Sequence, residues 1–160
     1  MASSRSTAAP LLSDEESTTP GPIACSDSLA RTAAETCRQH ERLSKLMALS
    51  VSKPELAAAL ALVDTIDLAL AEAVAEFEKK CAKSPVSEQP DIRAAANAMW
   101  LSAREYLRRH SIAEKASRQI TQGGDSLGDL QLEYELEASA LLGLKQATAT
   151  YQKLRPETRC

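Results

Sequence analysis

The chain has 160 residues with a formal net charge of −3, and is 44% apolar, 26% charged and only 3% aromatic. This balance suits one folded domain of ordinary size and lacks the basic excess on which nucleic-acid binders depend. The longest apolar run, Leu56 to Val63, falls far short of the roughly 20 residues of a membrane-spanning helix, and Asp64, Asp67, Glu72 and Glu76 then interrupt that segment.

Residues 1–25 form a Ser/Thr/Pro-rich acidic stretch without helical period. Such a stretch buries too little apolar surface to offset its ordering entropy, so a disordered tail is expected. It has no apolar core of a secretory signal. Ser13, followed by Asp14-Glu15-Glu16, has the pattern of an acidophilic phosphorylation site.

The first helix is expected to start at Ser26 or Asp27, either of which can cap it, and to bury Leu29, Ala33, Thr36, His40, Leu43 and Met47. The second opens on Ser52-Lys53-Pro54-Glu55, a capping box with proline in the first turn. Its seam reads Ala59, Val63, Ile66, Leu70, Ala73 and Phe77, widened by Leu56, Leu60 and Val74. After a loop with two prolines, Ser84 to Pro90, the third helix begins near Asp91. It follows Ile92, Ala96, Met99, Ala103, Tyr106, His110, Ala113, Ser117 and Ile120 up to Gly123-Gly124. Asp125 or Ser126 then caps a fourth helix on Leu127, Leu130, Tyr134, Glu137, Leu141, Leu144, Thr148 and Tyr151, which ends before Pro156.

All four seams alternate steps of three and four residues, the spacing of left-handed bundle and coiled-coil packing. Short connections make sequential helices antiparallel. The expected fold is therefore all-α, an antiparallel up-down-up-down four-helix bundle over residues 26–155. A disordered N-terminal tail precedes it, and residues 156–160 form a C-terminal tail. The rival arrangement splits the chain into two hairpins that pair between subunits, which makes a homo-oligomer.

Turns near residues 51, 87 and 124 bring His40, His110 and Glu137 to one level of this core. Each residue rises about 1.5 Å, so a two-residue error shifts a group by only about 3 Å. Asp64 and Asp67 lie near that level, but their register points them outward. One reading is a hydrogen-bonded polar layer that fixes helix register. Another is a metal site on His40, His110 and Glu137, with Cys37 on the same helical face as fourth ligand. The paired Glu-x-x-His signature of di-iron bundles is absent, and no cofactor is expected. Cys25, Cys37, Cys81 and Cys160 lack zinc-site spacings and read as reduced thiols of a cytoplasmic protein.

The third helix also carries Arg104, Arg108, Arg109, Lys115 and Arg118 beside its seam, with Trp100 and Leu107 two turns apart on one side. These basic residues form a solvated face, paired with Glu105 and Glu114, or a docking surface for an acidic partner, of which the stretch Asp14 to Glu16 is one candidate in cis. No aromatic residues interleave with them, which argues against single-stranded nucleic acid. No glycine-rich phosphate loop, G-x-S-x-G or H-E-x-x-H is present. The expected function is a non-enzymatic protein-interaction module, an adaptor, scaffold or helical subunit of a larger assembly. Its expected contact residues are Trp100, Arg104, Leu107 and Arg108. The alternatives are a small metal- or cofactor-binding bundle built on the polar layer, and a translocated effector with a helical domain.

Overall fold

The computed structural model describes residues 21–123 and 127–159. Four helices follow one another: α1 Pro22–Ala48, α2 Lys53–Cys81, α3 Pro90–Thr121 and α4 Leu127–Leu154. A 3-10 turn at Pro156–Thr158 closes the chain, and no strand occurs among the described residues. None of these helices is long and apolar enough to cross a membrane. The expected tail over residues 1–20 with Ser13, the expected cap at Asp125 or Ser126, and Cys160 lie outside the described residues.

Local chemistry explains most helix boundaries. Ser52 caps α2 by accepting from the Glu55 amide, with Pro54 in the first turn. Ser50 takes the left-handed conformation, at φ 54°, as the chain leaves α1. At the far end of α3, Gly123 turns the chain at φ 80°, where a side chain would be strained.

The start of α1 differs from expectation. It begins at Pro22 with Gly21 as its cap, so Pro22 to Cys25 are helical rather than part of a tail. A proline fixed at helical φ is pre-set for the first turn, and it extends the helix above Ser26 and Asp27. Both residues are then buried in the helix instead of capping it. The expected C-terminal tail is also partly folded. The turn after Arg155 packs back on α1 and α4, and Thr158 is buried.

Sequential helices run antiparallel and form two tight hairpins, α1–α2 and α3–α4. Contacts α1–α4 and α2–α3 close the ring, α1 touches α3 across one diagonal, and among the described residues the α2 and α4 backbones make no close approach. This is the expected four-helix bundle, within one chain.

Its two halves pack differently. Where α1 and α3 begin, Leu29, Ala33, Leu70, Phe77, Ala96, Met99, Ala103, Tyr106, Leu144 and Tyr151 are all buried. In the half carrying the 49–52 and 122–126 connections, four expected core residues are exposed instead: Met47, Leu60, Leu127 and Tyr134. The sequence marks these as seam positions, but the hairpins part at this end. Their apolar faces consequently line an open cleft of about 1090 Å³.

Candidate functional site

All four helices contribute walls to the cleft. Leu43 and Met47 come from α1, Leu60 and Val63 from α2, Ala113 and Ser117 from α3, and Tyr134, Ala138 and Leu141 from α4. Its inner end is the polar layer, where His40, His110 and Glu137 meet the packed core.

The centre of that layer is Asp67, which is buried. This corrects the expectation that Asp67 points outward, whereas Asp64 is exposed as expected. Buried α2 positions run Val63, Asp67, Leu70, Val74 and Phe77, so the seam takes the four-residue step from Val63. Ile66, chosen from sequence at the three-residue step, is only half-buried.

Donors from two other helices converge on Asp67. The Tyr106 hydroxyl donates to Oδ1 at 3.0 Å and Oδ2 at 3.2 Å. His40 Nε2 lies 3.1 Å from Oδ1 and 2.7 Å from the Tyr106 oxygen. A carboxylate only accepts, so the single phenol proton goes to Asp67 and His40 Nε2–H is the second donor. The alternative tautomer would strip a buried carboxylate of its best donor, which is unfavourable. Burial first, and then Asp67 and Glu137, push the Tyr106 phenol far above its ordinary ionisation range. The Tyr106 ring stands edge-on to His40, with centroids 5.5 Å apart, and stacks on His110 at 5.9 Å.

His110 links this hub to the cleft. Its Nδ1 lies 2.9 Å from Glu137 Oε1, and its Nε2 lies 3.5 Å from Asp67 Oδ2 and 3.4 Å from Glu114. The hydrogen bond to Glu137 outweighs burial and, with Asp67 and Glu114, raises the imidazole to about 9. His110 is therefore an imidazolium at neutral pH, with a carboxylate beside each nitrogen.

The expected set His40, His110, Glu137 and Cys37 is thus partly assembled. His110 and Glu137 touch directly, and His40 reaches them through Tyr106 and Asp67. Cys37 sits one turn before His40 but is buried, and burial lifts its thiol to about 11. A thiol so far from ionisation makes a poor metal ligand or nucleophile at neutral pH. Among the described residues no group of three or more His, Cys, Asp or Glu is arranged to hold a metal ion.

The expected contact residues on α3 are largely engaged within the chain. Trp100 is half-buried, tilts against Phe77 at 6.1 Å and donates its indole N–H to Glu78 on α2 at 3.1 Å. Arg104 lies 5.2 Å from the indole ring centroid and 3.8 Å from Glu78. Leu107 packs on the core, while Arg108 pairs with Glu105 on its own helix at 2.8 Å. This cluster fastens α3 to α2.

Sequence reasoning missed a second polar cluster at the closed end. Buried Asp27 accepts from Tyr151 at 2.6 Å and from Arg155 at 3.1 and 2.5 Å, while Arg155 also meets Glu157 at 2.8 Å. Burial pushes the Asp27 carboxyl up, but the bonds from Arg155 and Tyr151 win and hold it below its ordinary range. Its signal was present, since Asp27 and Tyr151 both lie on buried faces at the same end of antiparallel helices. No protein-family model, curated protein or solved structure matches this chain.

Proposed function

We propose that the chain is a non-enzymatic interaction module, an adaptor or helical subunit of a larger cytoplasmic assembly, whose partner docks in the cleft between its hairpins. The reading rests on one observation. Seams that are buried in one half of the bundle are only partly covered in the other, where Met47, Leu60 and Tyr134 stand exposed around a cleft of about 1090 Å³. A concave, mostly apolar cleft with charges at its rim has the form of a binding site. Helix-in-groove recognition uses such walls, with side chains of the incoming segment at three- and four-residue steps filling the seam. The free thiols of Cys25, Cys37 and Cys81 suit a reducing compartment.

The α3 face supports docking less well, because Trp100 and Arg104 already hold Glu78. One experiment separates the two surfaces. The full chain, a Met47→Glu/Leu60→Glu variant and an Arg104→Glu variant are used to capture partners, and recovery is quantified by mass spectrometry. Met47 and Leu60 are exposed, so charging them leaves the core intact. The cleft reading expects a partner lost with the double variant and retained with Arg104→Glu. The opposite pattern moves the docking site to the α3 face around Trp100, Leu107 and Arg108.

A further inference from the structure

The charges lining the cleft are unevenly compensated. Glu41 is paired with Lys145, and Lys45 lies beside the same carboxylate. Glu114 is paired with Arg118 at 3.5 Å. Asp67 and Glu137 share the single charge of His110, and Asp64 has no partner among the described residues. The lining as a whole carries four carboxylates and four cationic groups, but at its inner end Asp64 and Glu137, backed by buried Asp67, are opposed only by the imidazolium of His110, in a site whose walls are apolar. A low-polarity wall strengthens the attraction of such an excess for a positive group.

The lining also has a length. It runs from His110 to Arg118 on α3 and from Tyr134 to Lys145 on α4. At about 1.5 Å per residue this is roughly 12 to 17 Å, or two to three turns of a helix. The volume lies at the upper limit of ordinary small-molecule sites, which span about 300 to 1,000 Å³.

Resting on the docking site proposed above, we infer that the occupant is an amphipathic helix of a partner protein that carries a lysine or arginine within its apolar face. Its apolar side chains cover Leu43, Leu60, Val63 and Leu141, and its cation reaches the carboxylates of Asp64 and Glu137. The long aliphatic stem of lysine or arginine suits this arrangement, because it packs along the walls while its head meets the charges.

Three synthetic peptides of about 14 residues, roughly four helical turns, test the inference. They share one leucine-rich apolar face and differ at its centre, which is lysine, norleucine or glutamate. Binding to the full chain is measured by fluorescence anisotropy. The lysine peptide is expected to bind roughly tenfold tighter than the norleucine peptide and the glutamate peptide weakest. The lysine advantage should shrink with Asp64→Asn, an exposed substitution outside the buried network, and vanish with Asp64→Asn/Glu137→Gln.

Equal binding of all three peptides would leave the cleft as a docking site and overturn its preference for a cation. Binding by none of them would count against the cleft reading itself. If dodecylamine binds and loses affinity with Asp64→Asn while no peptide binds, a free amphiphilic amine replaces the helix as occupant and the inference fails.

Discussion

Replacing Asp67 with alanine removes the acceptor on which three side chains depend. Tyr106 is fully buried, so its hydroxyl cannot turn to water and loses its carboxylate outright. Losing a buried hydrogen bond to a charged acceptor costs about 1–3 kcal/mol, although His40 Nε2, 2.7 Å away, can accept from the hydroxyl in its other tautomer. His40 and His110 keep 15% and 22% of their side-chain surface in solvent, so water from the cleft relieves much of their loss. The remaining attraction between His110 and Asp67 adds roughly 1 kcal/mol. The sum is about 3 kcal/mol, within the range for breaking a buried pair by deleting one partner. At about 2–4 °C per kcal/mol for a chain of this size, the melting temperature should fall by roughly 6–12 °C. Asp67→Leu/Tyr106→Phe removes acceptor and donor together and replaces them with apolar bulk, so it should cost less than Asp67→Ala alone. Urea denaturation of both variants, completed with the two single changes of the double variant, measures the coupling directly. A loss below about 0.5 kcal/mol for Asp67→Ala, the usual size of a surface effect, would refute the picture of a buried hub. So would a double variant less stable than Asp67→Ala.

His110 titrates at about 9 in the folded chain, above its ordinary 6.5, so its contribution is fully present below about pH 6.5 and is lost as pH rises through 9. Discounted for solvent at the cleft, that contribution is about 1–2 kcal/mol; the urea midpoint of the wild type should fall between pH 6.5 and 9.5 more steeply than that of His110→Gln. Parallel slopes for the two proteins would remove the claim. Arg155→Ala should cost about 2 kcal/mol at pH 7, because it strips buried Asp27 of a charged donor. Asp27 is held below its ordinary range, so its pairing stabilises above about pH 4 and fades as pH falls through the folded value. The gap between wild type and Arg155→Ala should therefore close in acid, and a gap unchanged at pH 2.5 would contradict the assignment.

Much of the architecture was legible because apolar periodicity reports which face of each helix is buried. Ser52 with Glu55, and Gly123, gave helix ends through chemistry that acts within a few residues of sequence. The common level of His40, His110 and Glu137 followed from helical rise and loop position. Asp67 was missed for a reason of the same kind. From Val63 the seam can step to Ile66 or Asp67, and apolarity favours Ile66. Only the donors on α1 and α3 make the carboxylate the better inward residue, and no single helix's pattern contains them. A usable signal did exist, since Asp67 lies on an unbroken four-three-four-three seam facing two seam histidines and a seam tyrosine. Asp27 was misread likewise, because a carboxylate near a helix start looks like a cap until Tyr151 and Arg155 are brought to it. The open end was invisible for a different reason. Periodicity says that Met47, Leu60 and Tyr134 share their helices' apolar faces, but it carries no measure of the distance to the opposite hairpin.

The placement of the polar layer and the opening of the cleft have a common physical origin. A tier of ionisable groups sealed inside a dry core would leave His110, Glu137 and His40 with unfilled donors and acceptors at several kcal/mol each. At the inner end of a wet cleft the same tier turns its buried side, Asp67 and Tyr106, to the core and its half-exposed side to solvent. The hydrogen bonds of that layer also fix the register of α1, α2, α3 and α4 against one another at the one height where packing gives out. Beyond it, the hairpins have no polar tie between them among the described residues except the pair Glu41–Lys145. In the proposed reading, these apolar walls above a charged floor are the surface on which a partner docks.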